Sequence, residues 1–335
     1  MTILVTGGCG YIGSHMAWCL DDAGEDFVVI DNLSTGFDWA IPQSAQLYHG
    51  EITDLDLLQT IFGNHDISAV IHFAGSIIVP ESVSNPLKYY ENNTAASRVL
   101  IEACVKNGIK HFIFSSTAAV YGDPEVIPVS EDTPLSPLSP YGTSKLMTEL
   151  MLRDTAAAHD FKYTALRYFN VAGADPEGRT GQSTKTATHL IKVASEAALG
   201  KRTHLGVFGD DFDTPDGTGV RDYIHVSDLA SAHYLALKRL RDGGDSIVMN
   251  AGYGDGYSVL QVIDAVKAVS GVDFEVKHEP RRAGDSPKVV ADNAKIMSNL
   301  DWKPQFHDLP TIVKHALDWE KKLQFKNSLA NTHAD

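Results

Sequence analysis

The chain has 335 residues, 43% hydrophobic and 21% charged, a balance that suits a globular protein with a sizeable core. No apolar run approaches the roughly 20 residues of a membrane span, and a net charge of −15 speaks against nucleic acid or an anionic membrane as partner. An anionic small molecule stays open, because a few arginines can line one pocket. Cys9, Cys19 and Cys104 are too few for a disulfide framework and suit a reducing cytoplasm. "MTILVTGG" lacks the basic start and long apolar stretch of a secretory signal, so a cytoplasmic location is expected. The fourteen histidines form no H-E-x-x-H or similar cluster, and no metal is expected. No long internal repeat is apparent.

In chain order, the first half alternates short apolar runs with helix-length segments. Strands are predicted at Ile3–Thr6, Phe27–Asp31, Gln46–Gly50, Ala69–Phe73, His111–Ser116 and Tyr163–Phe169. Helical patterns include His15–Ala23, Pro86–Asn107 and Ser144–His159, the second ending at a plausible Asn107-Gly108 cap. Nearly continuous apolar strands separated by helices imply an α/β fold: a doubly wound parallel sheet with ligands outside the strands' carboxyl ends. After about residue 170 the rhythm loosens. "GADPEGRTGQSTKT" and "GDDFDTPDGTG" read as loops, Ser227–Arg241 is again helical, and Ser246–Gly252 is again a strand. The expected organisation is a Rossmann domain over 1–170, to which segments such as 222–252 return, and a smaller interleaved substrate lobe over 171–323. The polar stretch 324–335 is expected to be a flexible tail.

"TGGCGYIG" directly follows the first strand, and a helix is expected from near Ser14. Gly7, Gly10 and Gly13 let the backbone turn and approach a pyrophosphate, which the helix N-terminus then binds. Strand, turn and helix in that order make the motif specific. Asp31 ends the next strand, where its carboxylate can accept both ribose hydroxyls. No Arg or Lys lies between Asp31 and Trp39 to welcome a 2′-phosphate, so the expected cofactor is NAD. "GYGDGYS" (Gly252–Ser258) is glycine-rich too, but its spacing is wrong, and it reads as a loop ending in the helix cap Ser258.

Tyr-x-x-x-Lys occurs twice, as Tyr141…Lys145 and Tyr234…Lys238. The second lies inside the amphipathic "DLASAHYLALKRL" and reads as a packed tyrosine with a snorkelling lysine. The first opens a helix after a proline-punctuated loop. Some twenty residues earlier, "FSSTAAVYG" leaves a sheet strand and brings Thr117 to the carboxyl edge. Residues i and i+4 share a helix face, so hydroxyl, phenol and ammonium can converge on one substrate oxygen. A cation about 4 Å from the phenol, at an effective dielectric near 20, is worth roughly 4 kcal/mol. That could bring Tyr141 about three pH units below its usual value near 10, fit to move a hydroxyl proton.

These residues, together with "VVIDNLS", "IHFAGS", "ESVSNPLKYYENN", "SPYGTSKLMTE", "LRYFNVAGADP", "VFGDDFDTPDGTGVRDYIHVSDLA" and "PRRAGDSP", resemble the extended short-chain dehydrogenase/reductases. More narrowly they resemble the UDP-hexose 4-epimerase family, from residue 2 to about 320. The resemblance implies oxidation at the sugar C4 with reversible hydride transfer to NAD, Tyr141 exchanging the O4 proton, Thr117 hydrogen-bonding O4, and Lys145 holding the nicotinamide ribose. It implies a cofactor site of Gly7, Gly10, Tyr11, Ile12, Gly13, Asp31, Asn32, Ser34, Thr35, Gly36, Glu51, Ile52, Phe73, Ala74, Asn92, Tyr141, Lys145, Tyr168 and Phe169. It also implies a UDP-sugar site of Thr117, Tyr141, Asn170, His189, Leu190, Phe208, Arg221, Tyr223, Arg282, Asp285 and Val289. Arg221 and Arg282 suit a diphosphate, Phe208 a flat uracil, and Asp285 a ribose hydroxyl. The family pairs its helices across a homodimer. Leu87, Val99, Leu146, Leu150 and Met151 could serve that contact or the sheet-facing core.

Five positions depart from the family pattern. Thr117 stands where serine is common and keeps the hydroxyl. Glu51 replaces an aspartate near the adenine. Ile77 replaces a lysine near the cofactor, and His189 an asparagine near the diphosphate. Val289 replaces a large tyrosine that walls off the sugar in some members, so UDP-N-acetylhexosamines are expected alongside UDP-glucose. Rival readings are a UDP-xylose or UDP-N-acetylglucosamine 4-epimerase, a 4,6-dehydratase, a UDP-glucuronate decarboxylase, and a non-catalytic NAD-binding regulator. Ala118 and Ala119 speak against the dehydratase, which needs an acid and a base there. The intact Tyr141 and Lys145 speak against the regulator.

Overall fold

Apolar, β-branched runs closed by turn residues form strands when both of their faces can be covered. In the computed structural model, which describes residues 1–184, 188–282 and 285–332, the first six strands are β1 (Thr2–Thr6), β2 (Phe27–Asp31), β3 (Gln46–His49), β4 (Ile67–His72), β5 (His111–Thr117) and β6 (Lys162–Tyr168). Helices α1 (Tyr11–Asp22), α2 (Leu55–Asn64), α3 (Val79–Ser84), α4 (Pro86–Tyr89), α5 (Ala96–Lys106) and α6 (Pro140–Ala158) run between them. There follow β7 (Asn170–Ala172), α7 (Leu190–Ala198), β8 (Leu205–Phe208), β9 (Val220–Arg221), β10 (Tyr223–His225), α8 (Val226–Arg241) and β11 (Ile247–Ala251). The remaining elements are β12 (Tyr257–Ser258), α9 (Val259–Ser270), β13 (Val276–Glu279), β14 (Lys288–Val289), α10 (Ala294–Asn299) and α11 (Leu309–Thr332).

Seven strands form one parallel sheet in the order β11-β6-β5-β4-β1-β2-β3. The period-2 pleat sends Ile3 and Val5 to one face and Leu4 to the other. On the first face Ile3, Val5 and Val29 pack with Met16 and Leu20 of α1 and Leu229 and Leu240 of α8. On the second, Leu4, Val70, Phe112 and Phe114 pack with Leu58, Leu100 and Leu152 of α2, α5 and α6. Each fully buried side chain of this kind contributes about 1.5–3 kcal/mol.

The reversal of strand order between β1 and β4 opens the crevice at the carboxyl edge where such sheets bind ligands. A third cluster joins α7, α9 and α11 through Ile191, Val262, Val266, Ile312 and Leu317. β11 and α8 return to the main sheet although they follow β7 to β10 in the chain.

Two helices differ from their sequence patterns. α1 starts at Tyr11, ahead of Ser14, because Gly10 supplies the cap. The long pattern from Pro86 is three pieces: α4, a π-helical segment Tyr90–Ala95, and α5. Ser258 caps α9 in a reciprocal box with Gln261, as the glycine-rich loop before it implied.

α11 continues to Thr332, through much of the polar C-terminal stretch, and residues 333–335 lie outside the described residues. So do Lys185 and Thr186 of the long loop and Ala283 and Gly284 of "PRRAGDSP". Among the described residues, no helix is long and apolar enough to cross a membrane, and no group of three His, Cys, Asp or Glu could hold a metal.

Candidate active site

The glycine turn sits between β1 and α1. A Cβ on Gly13 would lie 2.2 Å from the Gly7 carbonyl oxygen, so only glycine lets the helix start this close to the turn. Gly10 caps α1 without a side-chain hydrogen bond, which leaves the first-turn N–H groups, with Tyr11 and Ile12, free of a side-chain acceptor from the cap.

Asp31 accepts from the N–H of Cys9 at 2.9 Å and of Leu33 at 2.8 Å, one bond per carboxylate oxygen. Each oxygen keeps a second acceptor site for a ribose hydroxyl. Burial pushes its pKa up, against the pull of the two backbone bonds. The loop carrying Asn32, Ser34, Thr35 and Gly36 folds back onto the turn, with Ser34 N donating to Asn32 Oδ1 and Phe37 N to the Cys9 carbonyl. Asn32 donates to Glu51 at 2.9 Å, beside the buried Ile52. Phe73 and Ala74 follow β4, and Ala74 N donates to Thr6 Oγ1. A cradle of glycine, an unsatisfied helix N-terminus and a half-committed carboxylate fit an NAD molecule.

β5 ends at Thr117, whose Oγ1 accepts from Ala119 N at 3.1 Å. Ser139 caps α6 by accepting from Gly142 N, and Pro140 takes the first helical position. A Cβ on Gly142 would lie 2.6 Å from the Ala119 carbonyl oxygen, so glycine lets α6 close on the turn after β5. That contact brings Tyr141 to Thr117; burial raises the phenol pKa, and a hydrogen bond from the threonine side chain opposes the rise without cancelling it. Tyr141 also meets Tyr89 edge to face at 6.4 Å.

The expected electrostatics need correction. Burial pushes Tyr141 up instead of down, and Lys145 is not among the causes acting on it. The ammonium turns to the Ser115 carbonyl, donating at 3.0 Å, and lies 4.9 Å from the Phe114 ring centroid. Burial brings Lys145 down to about 8, while Glu149 one turn on pulls it up. Helical spacing places the two side chains on one face but does not decide where the ammonium points.

The cofactor side also holds Tyr168, which accepts from Ser115 Oγ at 2.8 Å, and Phe169 just after β6. Asn92 donates to Ser76 Oγ. Its neighbour Asn93 escapes a sequence reading, yet it is buried, accepts from Ser76 N and donates to Ser144 beside Lys145. Both asparagines lie in the π segment, whose wider turn upsets the helical phase. The doublet "NN" was the available signal.

Across the crevice, β9 pairs with β14 so that Arg221 stands opposite Val289, and β7 pairs with β10 so that Asn170 stands opposite Tyr223. Arg221 donates to the Val220 carbonyl, and its pKa falls through burial, with Arg282 pushing it down and Asp285 holding it up. Arg282 lies 4.5 Å from the Phe208 ring centroid and pairs with Asp285 at 3.2 Å. Phe208 is 41% exposed, open to a flat ligand.

His189 precedes α7, and its Nδ1 lies 2.5 Å from Gln182 Nε2. Burial lowers its pKa. A neutral ring whose Nδ1 accepts from Gln182 has its Nε2–H free to donate. Asn170, His189, Leu190 and Tyr223 line one crevice with Lys192 and Glu320. The second Tyr-x-x-x-Lys lies elsewhere: Tyr234 donates to Glu25 at 3.0 Å, and Lys238 is exposed.

A parallel sheet with a nucleotide cradle facing a Thr–Tyr–Lys constellation defines an enzyme of the short-chain dehydrogenase/reductase type. The chain belongs to the NAD dependent epimerase/dehydratase family, whose family model matches residues 3–252, and within it to the UDP-glucose 4-epimerases. It is 56% identical to the UDP-glucose 4-epimerase of Azospirillum brasilense over 96% of this chain and 92% of that one. The structure of the Brucella ovis UDP-glucose 4-epimerase in complex with NAD aligns with a TM-score of 0.92 at 42% identity, covering 95% and 97% of the two chains. The UDP-Glc/GlcNAc 4-epimerase of Campylobacter jejuni aligns with a TM-score of 0.84 at 49% identity, covering 96% and 99%.

Proposed function

We propose that the enzyme interconverts UDP-glucose and UDP-galactose, with Tyr141 exchanging the proton of the sugar O4. The convergence of Tyr141 and Thr117 at the carboxyl edge carries this reading. Bound NAD supplies the hydride acceptor for C4 and is regenerated within each turnover. Thr117 holds O4 by a hydrogen bond. Tyr141, as the phenolate that a cationic nicotinamide ring beside it would favour, removes its proton and returns it after the 4-keto sugar has turned over in the pocket. Lys145 orients the nicotinamide ribose. Arg221, Arg282 and His189 hold the diphosphate, Phe208 contacts the uracil, and Asp285 binds a ribose hydroxyl.

Ala118 and Ala119 follow Thr117 and move no protons, so elimination of water from the sugar is disfavoured. Residues 1–170 carry the cofactor edge and 171–323 most of the sugar site, with β11 and α8 belonging to the first part. The three cysteines are free, which fits a reducing cytoplasm.

Val289 packs with Ala118, Val120 and Phe169 beside the reaction edge. A valine here would admit a 2-acetamido group more readily than a tyrosine, in keeping with the UDP-Glc/GlcNAc 4-epimerase of Campylobacter jejuni. The test is a panel of UDP-galactose, UDP-glucose, their N-acetyl forms and UDP-xylose, without added NAD. Turnover of UDP-galactose and of UDP-N-acetylglucosamine is expected. Val289→Tyr should lower kcat/KM for the N-acetyl sugar by about 10-fold or more while sparing UDP-glucose. No turnover of the N-acetyl form by the parent enzyme would remove the broader specificity and leave the epimerase reading intact.

A homodimer is part of the same reading. Val83 (64% exposed), Leu87 (76%), Met147 and Leu150 leave apolar surface along α3, α4 and α6. Leu146 and Met151 pack into the chain's own core instead. Sedimentation should give a dimer, which Leu87→Glu combined with Met147→Glu converts to monomer. A monomeric parent enzyme would end this proposal.

A further inference from the structure

Beneath the Thr–Tyr–Lys constellation lies a buried ion pair that the reaction as derived does not use. Glu149 and Arg167 each have side chains 5% exposed and meet at 2.6 Å. The guanidinium clamps the carboxylate with Nε at 3.0 Å from Oε1 and Nη2 at 2.6 Å from Oε2. Ser116 Oγ donates to the same carboxylate at 2.5 Å. Arg167 reaches on through Nη1 to the Tyr121 hydroxyl at 3.0 Å, and Tyr121 donates to Asn250 Oδ1 at 2.6 Å. The network therefore ties α6 to β5, β6 and β11.

Its place in the sequence matters. Tyr141, Lys145 and Glu149 follow one another at intervals of four on the same face of α6. On β5, Ser116 stands between Ser115, whose carbonyl receives Lys145, and Thr117. Glu149 thus bonds the strand at the one residue between the two that meet Lys145 and Tyr141.

A buried ion pair is a poor source of stability, because desolvation cancels much of the attraction. Apolar residues would hold α6 against β5 equally well. They would not fix its place through directed bonds to Ser116 of β5 and Arg167 of β6, nor place a carboxylate one turn from the ammonium.

We propose that Glu149, clamped by Arg167, is a positioning residue for catalysis that sets the register of Tyr141 and Lys145 against Thr117. The inference rests on the roles proposed above for Tyr141 and Lys145. The groups that bear on it are few. His72 of β4 and Glu149 face Lys145, and Arg167, Tyr121 and Tyr163 face Glu149, with Glu131 beyond Tyr121. His72 is held neutral, its pKa brought down to about 3 by burial and by Lys145. Glu149 is thus the group that raises Lys145.

Replacing its charge lets the ammonium pKa fall below about 8, so the ammonium is lost at lower pH and the alkaline limb of the rate profile moves down.

The experiment compares the parent enzyme, Glu149→Gln, and the double variant Glu149→Met/Arg167→Met, each purified with its NAD. The double variant removes both buried charges and guards against misfolding of the single one. Melting temperature and NAD content report the fold. kcat, KM and the pH profile with UDP-galactose report positioning.

Folded, NAD-loaded variants should lose kcat on the order of 10²-fold with little change in KM, and their alkaline limb should shift to lower pH. A double variant with the parent's kcat and profile would show that the pair is structural only and overturn the proposal. So would a folded Glu149→Gln with an unchanged profile. An inactive parent enzyme would instead strike at the epimerase reading.

Discussion

Tyr141→Phe will fold, retain NAD, and lose kcat by about 10³-fold or more, with KM for UDP-galactose nearly unchanged. The phenyl ring keeps the edge contact to Tyr89 and the buried position at the start of α6, so packing is spared. What disappears is the O–H that exchanges the substrate proton, and a positioned general base contributes about 10²–10⁴-fold. Thr117 remains but has no basic group to relay to. Tyr234→Phe is the matched control. It removes a hydrogen bond to Glu25, at a cost of about 1 kcal/mol, far from the crevice. It should leave turnover within about twofold. If Tyr234→Phe abolished activity and Tyr141→Phe did not, the assignment of the proton-transfer residue would be wrong.

Gly13→Ala should cost the enzyme its cofactor. The added methyl would lie 2.2 Å from the Gly7 carbonyl oxygen and 2.8 Å from Gly8 Cα, both rigid backbone. Relief requires α1 to move away from the turn, and overpacking of this kind costs about 1–3 kcal/mol. The same movement withdraws the helix N-terminus from the pyrophosphate position. The variant should therefore be isolated without bound NAD, by absorbance of the denatured protein, and should melt below the parent. Activity should be absent without added NAD. A Gly13→Ala enzyme that keeps a full complement of NAD would exclude the close approach as the reason for glycine at this position.

Much of the cofactor edge is legible along the chain because its determinants are local. Gly7, Gly10 and Gly13 act through a turn of a few residues, and Asp31 ends the adjacent strand. Strand and turn chemistry place such residues before any long-range contact is known. The preference for the first Tyr-x-x-x-Lys copy rests on a related reason. Tyr141 follows a strand exit and a Ser-Pro helix start, whereas Tyr234 sits mid-helix among buried alanines and leucines. Asn93 was not legible, since a π segment changes the angle per residue and has no strong compositional mark. Nor was the sugar site by pattern alone. Arg221, Phe208, Arg282 and Val289 come from short strands and loops, and here the family resemblance carried the reading.

By itself the sequence determined the parallel-sheet architecture, the glycine turn after the first strand and the expectation of NAD, and it brought forward Thr117, Tyr141 and Lys145 as the set proposed to react. These follow from periodicity and short-range chemistry. Only the tertiary structure decided where the Lys145 ammonium points, that burial raises Tyr141, and that Glu149 and Arg167 lock α6 to the strand end bearing Thr117. Side-chain direction and desolvation depend on what surrounds a residue in three dimensions. Residues 149 and 167 are brought together by neither spacing nor propensity, but by the crossover that lays α6 against β5 and β6.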